Sequence, residues 1–316
     1  MVGHMQKRLQ NRIAESRWAL TVCLIYAAGI MLLGGVIEKG LWLQTACLAI
    51  STLMMVELNN SNSLIRIYSR MVSCSFLLLN VMLPQQAESA EGAIVQLCII
   101  GFYLSLFHAY QDKRAPGWVF YAFMSVSLAS IVWVQMLYYV PLLWILLATN
   151  ILAFSGRTFW ASVLGLALPY WCLLAFHLLN GDLQPLADHF SKLAVFGPIA
   201  RIDSLNGNEC LAMAFVAVLS LTGIIHFVRN SYKDKIRTRM LYEMFITMVV
   251  VTMVFIVLQP QHSEKIMGIL IVSAAPLTGH FLALTSTKVT NIAFIVILAT
   301  TLIITAINIW VPLSTF

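Results

Sequence analysis

Residues 134–182 read VQMLYYVPLLWILLATNILAFSGRTFWASVLGLALPYWCLLAFHLLNGD. Two apolar segments, 137–154 and 159–179, flank the short hinge Ser155-Gly156-Arg157-Thr158. A helix needs about 20 apolar residues to cross a hydrocarbon layer, within a range of about 17–25, and both segments meet it. The single charge between them, Arg157, sits at the turn. Tyr138, Tyr139, Phe159 and Trp160 stand at the ends, where aromatic side chains settle at the membrane interface. The stretch predicts a transmembrane helical hairpin.

The rest of the chain repeats this pattern. Of its 316 residues 60% are hydrophobic and only 10% charged, against about 25% charged in soluble domains; the mean hydropathy is +0.86. Apolar segments recur at 18–37, 41–56, 64–83, 93–110, 118–133, 211–228, 241–258, 266–284 and 292–310. With the hairpin they predict an all-α, polytopic transmembrane bundle of about eleven spans by the length criterion. Residues 1–17 form an amino-terminal segment, of which 1–5 read as a leader left by expression. Residues 18–311 are the membrane domain, with an outer loop at 180–209 and a basic inner loop at 229–240.

Charge orients the bundle. If the amino terminus is cytoplasmic, all but four of the 19 basic residues (Lys39, Lys192, Arg201 and Lys265) fall on the inner side. Cytoplasmic loops carry the excess of Lys and Arg, so the expectation is amino terminus in, carboxyl terminus out, in the cytoplasmic (inner) membrane. The net charge of +6 is then explained by inner loops and anionic lipids, and nucleic acid is not expected as a partner. Membrane lipids and other membrane subunits are.

No Walker, GxGxxG, HExxH or GxSxG motif occurs, which leaves nucleotide-driven, metalloprotease and serine-hydrolase chemistry without support. The six cysteines are scattered without CxxC or Cys/His spacing, so no metal, no cofactor and no disulfide framework is expected. Polar groups within or beside apolar segments are the remaining leads, because ionisable residues are costly there. Asn59, Asn62, Arg66 and Arg70 form one group; on a helix, Arg66 and Arg70 would share a face and could grip a phosphate or carboxylate, or serve only as a cap with lipid-facing arginines. The outer loop contributes His189 and Arg201, suited to acid–base work or simply to a solvated loop. His280, beside Pro276 and Gly279, is the best single candidate for a proton-linked or substrate contact. Glu243 is expected to pair with Arg239 one turn away. Arg157 at the hairpin turn completes the substrate-binding candidates. Two small-x-x-x-small steps, Ala161…Gly165 and Ala275…Gly279, predict close helix packing.

Two stretches, LNNSNSLIRIYSR at 58–70 and QMLYYVPLLWILLATNILAFSGRTFWASVLGLALPYW at 135–171, resemble an uncharacterised family of polytopic inner-membrane proteins of Bacteroidota. The likeness rests on Tyr139, Pro141, Arg157, Trp160, Gly165, Pro169 and Tyr170. It implies location and topology and brings no activity. The functional expectation is a carrier-like, flippase-like or scaffold protein handling an envelope precursor, a lipid-linked one among the options. The alternative is a membrane transferase of glycan or lipid assembly using the 180–209 loop.

Overall fold

A computed structural model describes residues 8–83, 88–197 and 207–310. Every regular element among them is helical: α1 Leu9–Ala14, α2 Ala19–Leu33, α3 Trp42–Asn62, α4 Met71–Val81, α5 Ala90–His108, α6 Pro116–Val132, α7 Val140–Thr149, α8 Gly156–Leu179, α9 Gln184–Ser191, α10 Gly207–Asn230, α11 Ile236–Leu258, α12 Ser263–Leu284 and α13 Lys288–Trp310. Each predicted apolar segment contains a helix. Six are long and apolar enough to cross a membrane: α5, α8, α10, α11, α12 and α13. Exposed Leu164, Val218, Val254 and Ile303 on four of these six, with Ile25 on α2 and Leu53 on α3, give the helices an outer surface that water would not tolerate and lipid would.

The chain falls into two compact units, each discontinuous in sequence. Met1–Glu88, Leu205–Lys235 and Ile271–Phe316 make the first; Ser89–Ser204 and Ile236–Leu270 make the second.

In the first unit α4 packs on α2 and α3, and α13 on α1, α4 and α10. The amino-terminal segment is built into this unit. Gln10 is fully buried; its Nε2 donates to Leu282 O at 2.7 Å and Thr285 Oγ1 at 2.6 Å, while its backbone N–H donates to Asn291 Oδ1 at 3.1 Å. Arg8 donates to Ser286 O. Small residues allow close helix approach where the sequence predicted it. A Cβ on Gly279 would lie 2.8 Å from Val72 N, so glycine lets α12 press its backbone against α4.

In the second unit α6 lies between α5 and α8, and a Cβ on Gly165 would lie 2.4 Å from Phe120 O. Tyr103, Phe107 and Phe245 interlock with ring centroids 4.9–5.6 Å apart. The start of α8 is fixed by a reciprocal cap: Ser155 N–H donates to Thr158 Oγ1 at 2.8 Å, and Thr158 N–H to Ser155 Oγ at 3.3 Å.

The hairpin reading is corrected in its first arm. Residues 137–154 are not one helix: a 3-10 turn, Val134–Tyr139, leads into α7, only 10 residues long. The chain then runs irregularly to Ser155, with Leu152 at φ +58°. The α8 helix packs chiefly on α6 and meets α7 through Trp144 Nε1, which donates to Ser162 Oγ at 2.9 Å. A second correction concerns residues 64–83, of which only Met71–Val81 is helical. The third concerns 229–240. Helix α10 continues to Asn230 and α11 begins at Ile236, leaving a five-residue connection that holds Asp234.

Candidate functional site

Helix α3 ends at Ser63, whose φ of +48° puts it in the left-handed region. Leu64 N–H then donates back to Asn59 O at 3.2 Å, a helix-stop geometry in which a left-handed residue lets the next amide meet an orphan carbonyl. Residues 64–70 are therefore irregular, and Arg66 and Arg70 do not share a helix face. Asn59 sets this segment. Its Oδ1 accepts from Ile65 N–H at 3.3 Å and its Nδ2 donates to Ser69 O at 3.1 Å, so one buried amide clamps both ends of the stretch that carries Arg66. Asn62, also buried, donates to Leu58 O at 3.1 Å. Asn59 is committed to backbone, and Asn62 also donates to Ser61 Oγ at 3.1 Å. Arg70 lies over the Tyr68 ring and donates to Asn60 Oδ1 at 3.4 Å.

Arg66 leads to the one buried ionic group among the described residues of the first unit. Its Nη1 lies 3.5 Å from Asp234 Oδ1 and donates to Lys233 O at 3.4 Å. The other Asp234 oxygen lies 3.1 Å from His280 Nε2. The Asp234 side chain is 3% exposed, that of His280 1%, and that of Arg66 40%. His280 Nδ1 in turn lies 3.4 Å from His226 Nδ1.

Helix packing builds this row. Gly223 of α10 sits against Leu277 of α12, where a Cβ would come within 2.9 Å of Leu277 C. One turn further along each helix are His226 and His280, which the close approach brings face to face. Their ring centroids are 5.3 Å apart, with Phe227 5.4 Å from His280 and Phe281 5.4 Å from His226. The aromatic surround lowers the local dielectric, which strengthens each polar contact and raises the cost of leaving one unmade.

The geometry selects tautomers. A carboxylate accepts, so His280 donates from Nε2 to Asp234. Neutral His280 then has only Nδ1 to accept with, and His226 donates from Nδ1. His226 Nε2 is left as the outer acceptor. A proton taken there can be relayed: His226 passes its Nδ1 proton to His280 Nδ1, and His280 passes its Nε2 proton to Asp234. Each step breaks one N–H bond and forms one N–H or O–H bond.

The structure thus brings together Arg66 and His280, which the sequence had placed in separate groups. Two members were not among the site candidates. Asp234 lies inside a strongly basic stretch, and being its lone acid was the only signal. His226 was visible only as an embedded histidine.

The remaining candidates stand elsewhere. Arg157 is exposed in the first turn of α8. His189, on the exposed helix α9, meets Ser130 O through Nε2 at 3.1 Å; burial of the ring is the main influence holding its pKa below the ordinary value. Arg201 lies outside the described residues. Glu243 does not pair with Arg239; it accepts from Asn150 Nδ2 at 3.4 Å, while Arg239 Nε is buried without a hydrogen-bond partner. No group of three or more metal-ligating side chains occurs among the described residues. His108 stacks on Trp118 at 4.4 Å.

The helices and their apolar exterior define the class, a helical membrane protein. No family model, curated protein or solved structure matches the chain.

Proposed function

We propose that the chain is a proton-coupled carrier of the cytoplasmic membrane that moves an anionic precursor of the cell envelope. The observation that carries this reading is the buried Asp234, held between His280 and Arg66. An ion pair taken out of water gains little stability over an apolar substitute, whereas ionisable groups inside a membrane domain commonly serve proton and substrate pathways. Both contacts of Arg66 use Nη1, which leaves its Nη2 and Nε donors for an incoming phosphate or carboxylate. Protonating Asp234 through His226 and His280 weakens its hold on Arg66 and frees that arginine for the anion. Loss of the proton restores the pair and expels the anion.

The inward bias of Lys and Arg supports an amino terminus in the cytoplasm, with Arg66 and Asp234 on that side. Membership of the Bacteroidota inner-membrane family is part of the same proposal. The carrier reading is preferred to a transferase because the buried ionic row gathers His280, Asp234 and Arg66, whereas His189 stands on an exposed helix with no carboxylate bonded to it among the described residues.

A pH jump on proteoliposomes adsorbed to a solid-supported membrane tests this without a known substrate. Proton uptake into the row should produce a transient charge displacement in wild type, absent in Asp234→Asn and in His280→Gln. A wild type with no transient, or variants that keep it, removes the proton-coupled reading and leaves a scaffold.

A further inference from the structure

We propose that a separate site in the first unit binds an anionic glycerophospholipid, and this inference does not rest on the carrier reading. A cleft of about 520 Å³ lies among α1, α2, α4, α12 and α13, within the range of about 300–1,000 Å³ typical of small-molecule sites. Its walls are mostly apolar, with Ile13, Val22, Leu78, Phe294 and Ile297 among the lining residues. Such a surface suits an acyl chain.

Two polar features specify more than a tail. Arg12 lines the cleft, is exposed, and pairs with no carboxylate among the described residues. Ser75 lines it too and is 5% exposed, yet its Oγ has no hydrogen-bond partner. Ser51, Ser73 and Thr278 also carry buried hydroxyls without a partner, but Ser75 alone of these four lines the cleft; Ser61 and Ser220, by contrast, return theirs to the carbonyl four residues back in their own helices. A buried hydroxyl without a partner is costly, and one in a cleft wall is satisfied by a ligand acceptor. A glycerophospholipid has the matching parts. Its phosphate meets the Arg12 guanidinium, an ester carbonyl accepts from Ser75, and a chain covers the apolar wall. Trp18, 72% exposed and on the same cleft, is the residue type that settles at headgroup depth. The positive charge of Arg12, which forms no ion pair among the described residues, selects a net-negative headgroup over a zwitterionic one.

Native mass spectrometry of the full chain in detergent tests the site, titrating phosphatidylglycerol against phosphatidylcholine of the same acyl composition. Wild type should retain one phosphatidylglycerol at least about tenfold more tightly than phosphatidylcholine. Arg12→Gln, an exposed change that leaves the core alone, should weaken retention about tenfold, in keeping with a lost charge-assisted contact. Ser75→Ala should weaken it roughly fivefold, the worth of one neutral hydrogen bond. Leu298→Trp, which fills the cleft from its 37%-exposed side, should abolish it. Equal retention of the two lipids, retention of free fatty acid alone, or unchanged binding in Arg12→Gln overturns the proposal. The pH-jump transient of Arg12→Gln should match wild type, so failure of this site and failure of the proton row are read separately.

Discussion

Replacing Asp234 gives the sharpest test of the buried row, because two substitutions remove different things. Asp234→Asn keeps an acceptor for His280 Nε2 at the present 3.1 Å and loses only the charge. Hydrogen bonds to charged groups contribute about 1.5–3 kcal/mol against about 0.5–1.5 for neutral ones, so the loss at His280 is about 1 kcal/mol. The Arg66 contact adds little, since at 3.5 Å and 40% exposure the guanidinium recovers water when its partner goes. Asp234→Ala removes the acceptor altogether. It strands the Nε2–H of a histidine that is 1% exposed and opens a small void, which together reach about 3 kcal/mol. Thermal unfolding in detergent, followed by tryptophan fluorescence at one fixed scan rate, reads the two. At about 2 °C per kcal/mol for a chain of this size, Asn should lower the midpoint by about 2 °C and Ala by about 6 °C. Asp234→Ala as stable as wild type, or Asn more damaging than Ala, would show that the carboxylate does not hold the histidine.

Gly165→Ala should lower the midpoint by several °C, because its Cβ would lie 2.4 Å from Phe120 O and overpacking costs about 1–3 kcal/mol. Gly29→Ala meets nothing within 4 Å and should raise it, since a helix-interior glycine is about 0.5–1 kcal/mol worse than alanine; the reverse order would contradict the packing of α6 on α8. Burial holds the His189 pKa below its ordinary value, so the fold favours the neutral ring. The stability this brings is complete above the unfolded value of about 6.5 and is lost as pH falls below it. Midpoints measured from pH 7.5 to 5 should therefore fall less in His189→Gln than in wild type, and parallel curves would rule the effect out.

The membrane character and the helical segments were legible because hydropathy is additive along the chain and needs no knowledge of neighbours. The glycine contacts were legible for a related reason, in that small residues at four-residue spacing leave room only another helix can use. Helix ends were harder. Residues 64–70 look helical by composition, and what stops the helix is a single left-handed serine backed by the clamping amide of Asn59. The site was legible in pieces only. His280 and Arg66 stand 214 positions apart, and the acid that joins them is hidden in a run whose cationic neighbours dominate any composition measure. A pairing of this kind is made by tertiary approach, here Gly223 against Leu277, and no local pattern announces it. Cys23 and Cys74 teach the same point: scattered in sequence, they line one cleft beside α2 and α4.

The seat of Gln10 bears on how the molecule is made. Its amide partner Leu282 lies 272 residues further along, so at about 5–20 residues per second of synthesis roughly a quarter of a minute to a minute passes before that partner exists. Helix α1 is therefore made long before the α12 carbonyl that holds it, and its docking waits on that later helix.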